Sequence, residues 1–194
     1  MKVFLKNRQS NHPKPALFLD RDGVINKDYG YVHKIENFHF MEHIVDLIKA
    51  ANKAEYLVVV VTNQAGIGRG FYSLEEFRKL TEWMLTVFKE NGALIDGVYF
   101  SPFHPTEGLG MFLLEENSRK PNPGMFFEAK KHLHIDLENS LMVGDKASDM
   151  CAGLSASISN NFLLSENNQS ELSVKLKGKI RLVSSLTQVI PHLK

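Results

Sequence analysis

Five consecutive aliphatic residues, Leu57 to Val61 (LVVVV), run directly into Thr62, Asn63 and Gln64. A run dominated by β-branched side chains reads as a strand. An uninterrupted apolar run bounded by polar residues is covered on both faces, because a half-exposed strand would alternate. A second such run, Ala16 to Leu19, ends in Asp20, Arg21, Asp22 and Gly23. A third, Leu141 to Val143, ends in the segment GDKASD, residues 144–149.

Between the runs the apolar spacing changes to that of helices. Ile44, Val45, Leu47, Ile48 and Ala51 share one helical face. Ser73 and Glu76 form the S-x-x-E pattern of a capping box, followed by the stripe Phe77, Leu80, Met84, Val87 and Phe88. This predicts a helix over about 73–91 that Gly92 ends. A strand over about 97–101 follows, then an irregular segment to Lys120, then a helix with Asn122 as cap and Pro123 at its first position. Residues 161–164 and 180–183 read as weak edge strands, and Leu186, Val189, Ile190 and Leu193 as a closing helix. Alternating strands and helices predict an α/β fold, a Rossmann-like three-layer sandwich around a mainly parallel sheet. Its ligand belongs beyond the carboxyl ends of the strands.

A chain of 194 residues, 43% apolar and 23% charged, suits one domain with a substantial core. Residues 1–15, with Lys2, Lys6, Arg8 and Lys14, read as a solvated basic extension, and 16–194 as the single domain, carrying a loop insert at 102–118. A net charge of +1 gives no field for nucleic acid or a membrane surface. The single cysteine, Cys151, excludes an internal disulfide framework and suits a reducing cytoplasm. No apolar segment approaches the ~18 residues of a membrane span, and the amino-terminal residues turn polar too soon for a signal peptide.

At the strand ends stand Asp20 with Asp22, Thr62 with Asn63, Ser101, and Asp145 with Asp149. Carboxylates brought to one sheet edge repel one another at neutral pH unless a cation lies among them. A sparse aspartate set without histidines suits Mg2+, which keeps several waters and shares a phosphate oxygen. Opposite it, Thr62, Asn63 and Lys120 offer the hydroxyl, amide and cation of a phosphate cradle.

DRDGVIN, the VTNQ after the valine run, the lysine of RKPNPG and GDKASD resemble the four ordered signatures of the haloacid-dehalogenase-like phosphohydrolase superfamily. DRDG, TNQAGIGRG and RKPNPGM are similar to its small-molecule branch, which contains the D-glycero-D-manno-heptose 1,7-bisphosphate and histidinol-phosphate phosphatases. The likeness spans about residues 17–152. It implies a Mg2+-dependent phosphatase acting through an aspartyl-phosphate, on the C7 phosphate of a heptose bisphosphate or, alternatively, on histidinol phosphate or another small phosphomonoester. A phosphoacceptor receiver, or a binding protein without catalysis, is the distant alternative.

By the same resemblance Asp20 is the nucleophile and Asp22 the proton donor and acceptor, while Thr62 and Lys120 hold the phosphoryl group. Asp20, the main-chain carbonyl of Asp22 and Asp145 hold the metal, with Asp149 orienting it. Asp28, Tyr29, Gly30, Tyr31, Asn63, Gln64, Ala65, Arg119 and Lys146 meet the substrate, and Arg69 is a further candidate. Both places where relatives insert a cap domain are too short for one, so no independent cap is expected. Zinc-binding relatives order the 102–118 loop with a C-x-H and C-x-C ligand set. Here Ser101, Phe103, Glu116 and Ser118 occupy those places, so no structural zinc is expected. A monomer acting on a small phosphorylated sugar, without nucleic-acid or membrane partners, completes the expectation.

Overall fold

A computed structural model of the chain describes residues 2–5, 12–165 and 178–194, so Lys6 and Arg8 of the basic extension lie outside the described residues. The strands are β1 (Lys2–Leu5), β2 (Lys14–Leu19), β3 (Leu57–Asn63), β4 (Gly97–Ser101), β5 (Ile135–Gly144), β6 (Asn160–Leu164) and β7 (Ile180–Val183). The helices are α1 (Ile44–Lys53), α2 (Ala65–Gly68), α3 (Leu74–Glu90), α4 (Gly124–Leu133) and α5 (Ala147–Ser155). The strands form one sheet in the order β1-β4-β3-β2-β5-β6-β7, in which every pair is parallel except β1 with β4.

Successive side chains on a strand point to opposite faces, so the unbroken apolar runs feed two cores. Leu17 and Leu19 of β2, Val58 and Val60 of β3 and Val143 of β5 pack with Ile44, Leu47 and Ile48 of α1 and Leu80, Met84 and Phe88 of α3. Ala16, Phe18, Val59, Val61 and Met142 face the other way, against Met125, Phe126 and Ala129 of α4 and Met150 and Ala152 of α5. This is the expected three-layer sandwich. The capping box is fully formed: Ser73 Oγ accepts from the Glu76 amide at 3.1 Å, and Glu76 Oε2 accepts from the Ser73 amide at 2.7 Å.

Several boundaries depart from the sequence reading. Lys2–Leu5, assigned to a solvated extension, pairs antiparallel with β4, a long-range match that composition does not reveal. Strand β5 starts at Ile135, six residues early, because its polar stretch Asp136–Asn139 disguises a strand whose start pairs with Lys14 and Pro15. The cap of α4 is Pro123, not Asn122: the Gly124 amide is satisfied by Asn117 O at 2.9 Å, and the Asn122 side chain turns to Glu116 O. Strand β6 is flanked on both sides rather than lying at an edge. The closing helix is two 3-10 turns, Leu186–Gln188 and Ile190–His192, with Pro191 at the start of the second. Among the described residues no helix is long and apolar enough to cross a membrane.

Candidate active site

The parallel strands β2, β3 and β5 sit side by side in the sheet and end together, so Asp20, Thr62 and Asp145 meet by construction. The Asp20 amide donates to Val143 O at 3.0 Å, which fixes the first aspartate beside the end of β5. Lys120 Nζ reaches across, 2.9 Å from Asp20 Oδ1, 2.6 Å from Asp149 Oδ1 and 2.9 Å from Val61 O. Its main chain is fastened to Asn63, whose Oδ1 accepts from the Lys120 amide and whose Nδ2 donates to the Lys120 carbonyl, both at 3.0 Å. Asp20, Lys120 and Asp149 are all buried.

Carboxylate oxygens of Asp20, Asp145 and Asp149 lie within 4.8 Å of one another. Burial, which Lys120 only partly offsets, raises the Asp20 pKa to about 7, and the neighbouring carboxylates of Asp149 and Asp145 add to the rise. Burial likewise raises Asp145 to about 6, against Lys146 and together with Asp149. Burial disfavours the charge of Lys120, yet Asp149 and Asp20 outweigh it and hold the ammonium above its ordinary pKa. Asp145 Oδ1 is buried with no hydrogen-bond partner. A Cβ on Gly23, whose φ is +89°, would fall 2.2 Å from Asp145 Oδ2. These are the marks of a cation site: crowded carboxylates, an unsatisfied buried oxygen and a main chain that comes close because a glycine allows it.

Asp22 is held differently. Its Oδ1 accepts from Arg21 Nη2 at 2.7 Å and from Asn26 Nδ2 at 3.0 Å, and its Oδ2 from Arg21 Nη2 at 2.8 Å and Gln64 Nε2 at 3.2 Å. Arg21 is itself buried, with Nη2 also donating to Val32 O at 2.6 Å.

Around these groups lies a cleft of about 380 Å3. It brings together Asp20, Asp22, Asp28, Gly30, Tyr31, Thr62, Asn63, Gln64, Ala65, Arg119, Lys120, Lys146 and Asp149 of the sequence-derived set. Lys146 Nζ bonds Asp28 Oδ2 at 2.9 Å across the mouth. Burial opposes the charge of Asp28, but Lys146 and the Gly30 amide hold its pKa below the usual range. Tyr29 is not among the lining residues; it is exposed, with its ring edge-on to His39. Arg69 also stands off the cleft, over the rings of Tyr31 and Phe71 and 3.1 Å from Glu107.

Comparisons with known proteins place the chain in a family. The family described as polynucleotide kinase 3 phosphatase matches residues 17–177. A D-glycero-alpha-D-manno-heptose-1,7-bisphosphate 7-phosphatase of Burkholderia mallei is 48% identical over 178 residues, 92% of this chain and 93% of the relative. The chain belongs to the haloacid-dehalogenase-like phosphatases. A D-glycero-beta-D-manno-heptose-1,7-bisphosphate 7-phosphatase of Vibrio cholerae is 49% identical to it over 151 residues, 78% of this phosphatase and 81% of the relative. A D,D-heptose 1,7-bisphosphate phosphatase of B. bronchiseptica, solved with magnesium and phosphate, superposes with a TM-score of 0.78 at 25% identity, covering 92% of this chain and 97% of that one.

In this haloacid-dehalogenase-like phosphatase the 102–118 loop is held by hydrogen bonds. Ser118 Oγ donates to Ser101 Oγ at 3.2 Å, Arg119 Nη1 to Phe103 O at 3.0 Å, and the Leu109 amide to Gly68 O at 2.7 Å. The loop still exposes Leu109, Met111, Leu113 and Leu114. Tyr72, His104 and Ser148 line the cleft as well, and sequence reasoning did not assign them to it. Ser148 lies inside the GDKASD signature and was within reach. Tyr72 and His104 come from segments whose packing onto the cleft is long-range.

Proposed function

We propose that this phosphatase hydrolyses the C7 phosphate of a D-glycero-D-manno-heptose 1,7-bisphosphate, with Mg2+ and through an aspartyl-phosphate, an acyl phosphate on Asp20. The observation that carries the reaction type is the pairing of Asp20, clamped by Lys120 at 2.9 Å, with Asp22 two residues on, across the mouth of one cleft. The substrate follows the names of the relatives. It is supported by Arg119 and Lys146 in the lining beyond Lys120, cations suited to a second anionic group.

Asp20 Oδ1 already accepts from the Arg21 amide at 2.7 Å and from Lys120 at 2.9 Å, which leaves Oδ2 as the attacking atom. As the Oδ2–P bond forms, the bond from phosphorus to the leaving oxygen breaks, and Asp22 delivers a proton to that oxygen. Asp22, left as the carboxylate, then takes a proton from a water that attacks phosphorus and frees Asp20. Thr62 and Lys120 meet the charge on the transferring phosphoryl oxygens. The residues that would hold Mg2+ are Asp20, the Asp22 main-chain carbonyl and Asp145, with Asp149 fixed behind them by its bond from the Lys146 amide at 3.0 Å. Bound there, the cation supplies the positive charge that lets an anionic nucleophile approach an anionic phosphate.

A single chain working in the cytoplasm on a small sugar phosphate is the setting we propose, on the one cysteine and near-neutral charge. Replacing Asp20 by Asn tests the mechanism. The variant should fold and bind the bisphosphate with no measurable turnover, and appreciable residual turnover would remove Asp20 from the nucleophile role.

A further inference from the structure

Tyr72 is buried, and its hydroxyl donates to Gln64 Oε1 at 2.5 Å. Through its Nε2, Gln64, also buried, donates to Asp22 Oδ2 at 3.2 Å and to Thr62 Oγ1 at 2.8 Å. One amide thus touches both the proton-carrying carboxylate and the hydroxyl that faces the phosphoryl group. A glutamine amide presents donors at one end and acceptors at the other. Turned over, it would set its carbonyl oxygen against the Asp22 carboxylate and take the Thr62 proton for itself. The orientation observed does the reverse: its Nε2 donates to Asp22.

The tyrosine is placed with care. Its ring stacks on His33, with centroids 4.9 Å apart and planes 7° from parallel. It passes so close to the α2 main chain that a Cβ on Gly66 would lie 2.2 Å from Tyr72 Cε1. Burial pushes the phenol well above its ordinary pKa, so the hydroxyl stays a donor.

We propose that Tyr72, acting through Gln64, is a positioning residue that keeps Asp22 in its working orientation. This rests on the phosphatase reading above. Without the hydroxyl, the Gln64 carbonyl is a buried acceptor lacking its donor, and the amide loses the contact that selects its orientation.

The consequence is confined to proton delivery. An alkoxide leaving from a sugar phosphate needs the proton of Asp22, whereas the phenolate of p-nitrophenyl phosphate departs without it. The test compares kcat/KM for a sugar phosphate and for p-nitrophenyl phosphate in the wild-type protein, Tyr72→Phe and Gly66→Ala, all with Mg2+. Both substitutions should lower the sugar phosphate value about tenfold while changing the aryl value less than about twofold. If Gly66→Ala fails to fold, Tyr72→Phe alone decides. Parallel losses on both substrates, or no loss on either, would overturn the proposal. Absence of phosphate release by the wild-type protein from any of them would instead overturn the phosphatase reading itself.

Discussion

Lys120 Nζ lies 2.9 Å from Asp20 Oδ1, with both side chains buried at the carboxyl edge of the sheet. The ammonium makes a second ion pair with Asp149, so removing it strands two buried carboxylates in the metal-free protein. Lys120→Met should therefore lose on the order of 3 kcal/mol of stability at neutral pH in chelator. Urea unfolding measures the loss. Turnover with Mg2+ should fall at least a hundredfold as the cradle loses its cation, and a variant as stable and active as the wild type would contradict this role.

Asp20 also sets a pH dependence. Its pKa is about 7 in the folded protein against an ordinary 3.8, so between those values the folded state holds a proton that the unfolded chain has released. The contribution of Asp20 to the stability of the metal-free protein is then fully present below about pH 4 and is lost as pH rises through 7. Asp20→Asn removes this part of the slope and leaves that of Asp145. In chelator the variant should exceed the wild type by several kcal/mol at pH 8 and by little at pH 4, as an order-of-magnitude expectation. Thermal unfolding across this range checks it, and a difference independent of pH would refute the assignment.

The cation site depends on Gly23. Alanine there would press its Cβ onto Asp145 Oδ2 and strain a backbone at φ +89°. We expect Gly23→Ala to raise the Mg2+ concentration for half-maximal activity by roughly 10- to 100-fold. A metal titration with unchanged midpoint would show that Asp145 does not hold the ion.

Arg119 joins two tasks, lining the cleft and bracing Phe103 O at 3.0 Å. Arg119→Ala should cut kcat/KM for a sugar bisphosphate by about tenfold or more, and for the matching monophosphate by far less. Equal losses would mean that Arg119 only braces the loop.

The Ser118–Ser101 hydrogen bond stands where relatives use zinc ligands. Protein stripped with chelator should regain full activity on adding Mg2+ alone. A requirement for zinc would show that the loop needs a metal to hold it.

The residues legible in the sequence are those whose position follows from strand ends. Asp20, Thr62 and Asp145 converge because neighbouring parallel strands end at one edge of the sheet, Asp149 because it lies in the first turn of α5 just after β5, and Lys120 because it lies in the segment leading into α4. Tyr72 escaped notice because its role depends on Gly66 admitting its ring beside α2, a long-range fit with no local signal. Tyr29 was assigned to the substrate with its neighbours, yet its ring packs outward beside His39. The pairing of Lys2–Leu5 with β4 is a long-range match with no local signal, and the early start of β5 was hidden by Asp136, Glu138 and Asn139 interrupting its apolar run.

The most direct measurement is phosphate release with Mg2+ from both anomers of D-glycero-D-manno-heptose 1,7-bisphosphate, fructose 1,6-bisphosphate, histidinol phosphate and p-nitrophenyl phosphate. A heptose bisphosphate should be preferred at least a hundredfold in kcat/KM, about 2.7 kcal/mol of transition-state discrimination. A flat, weak profile across the panel would contradict the assignment of the heptose bisphosphate as substrate.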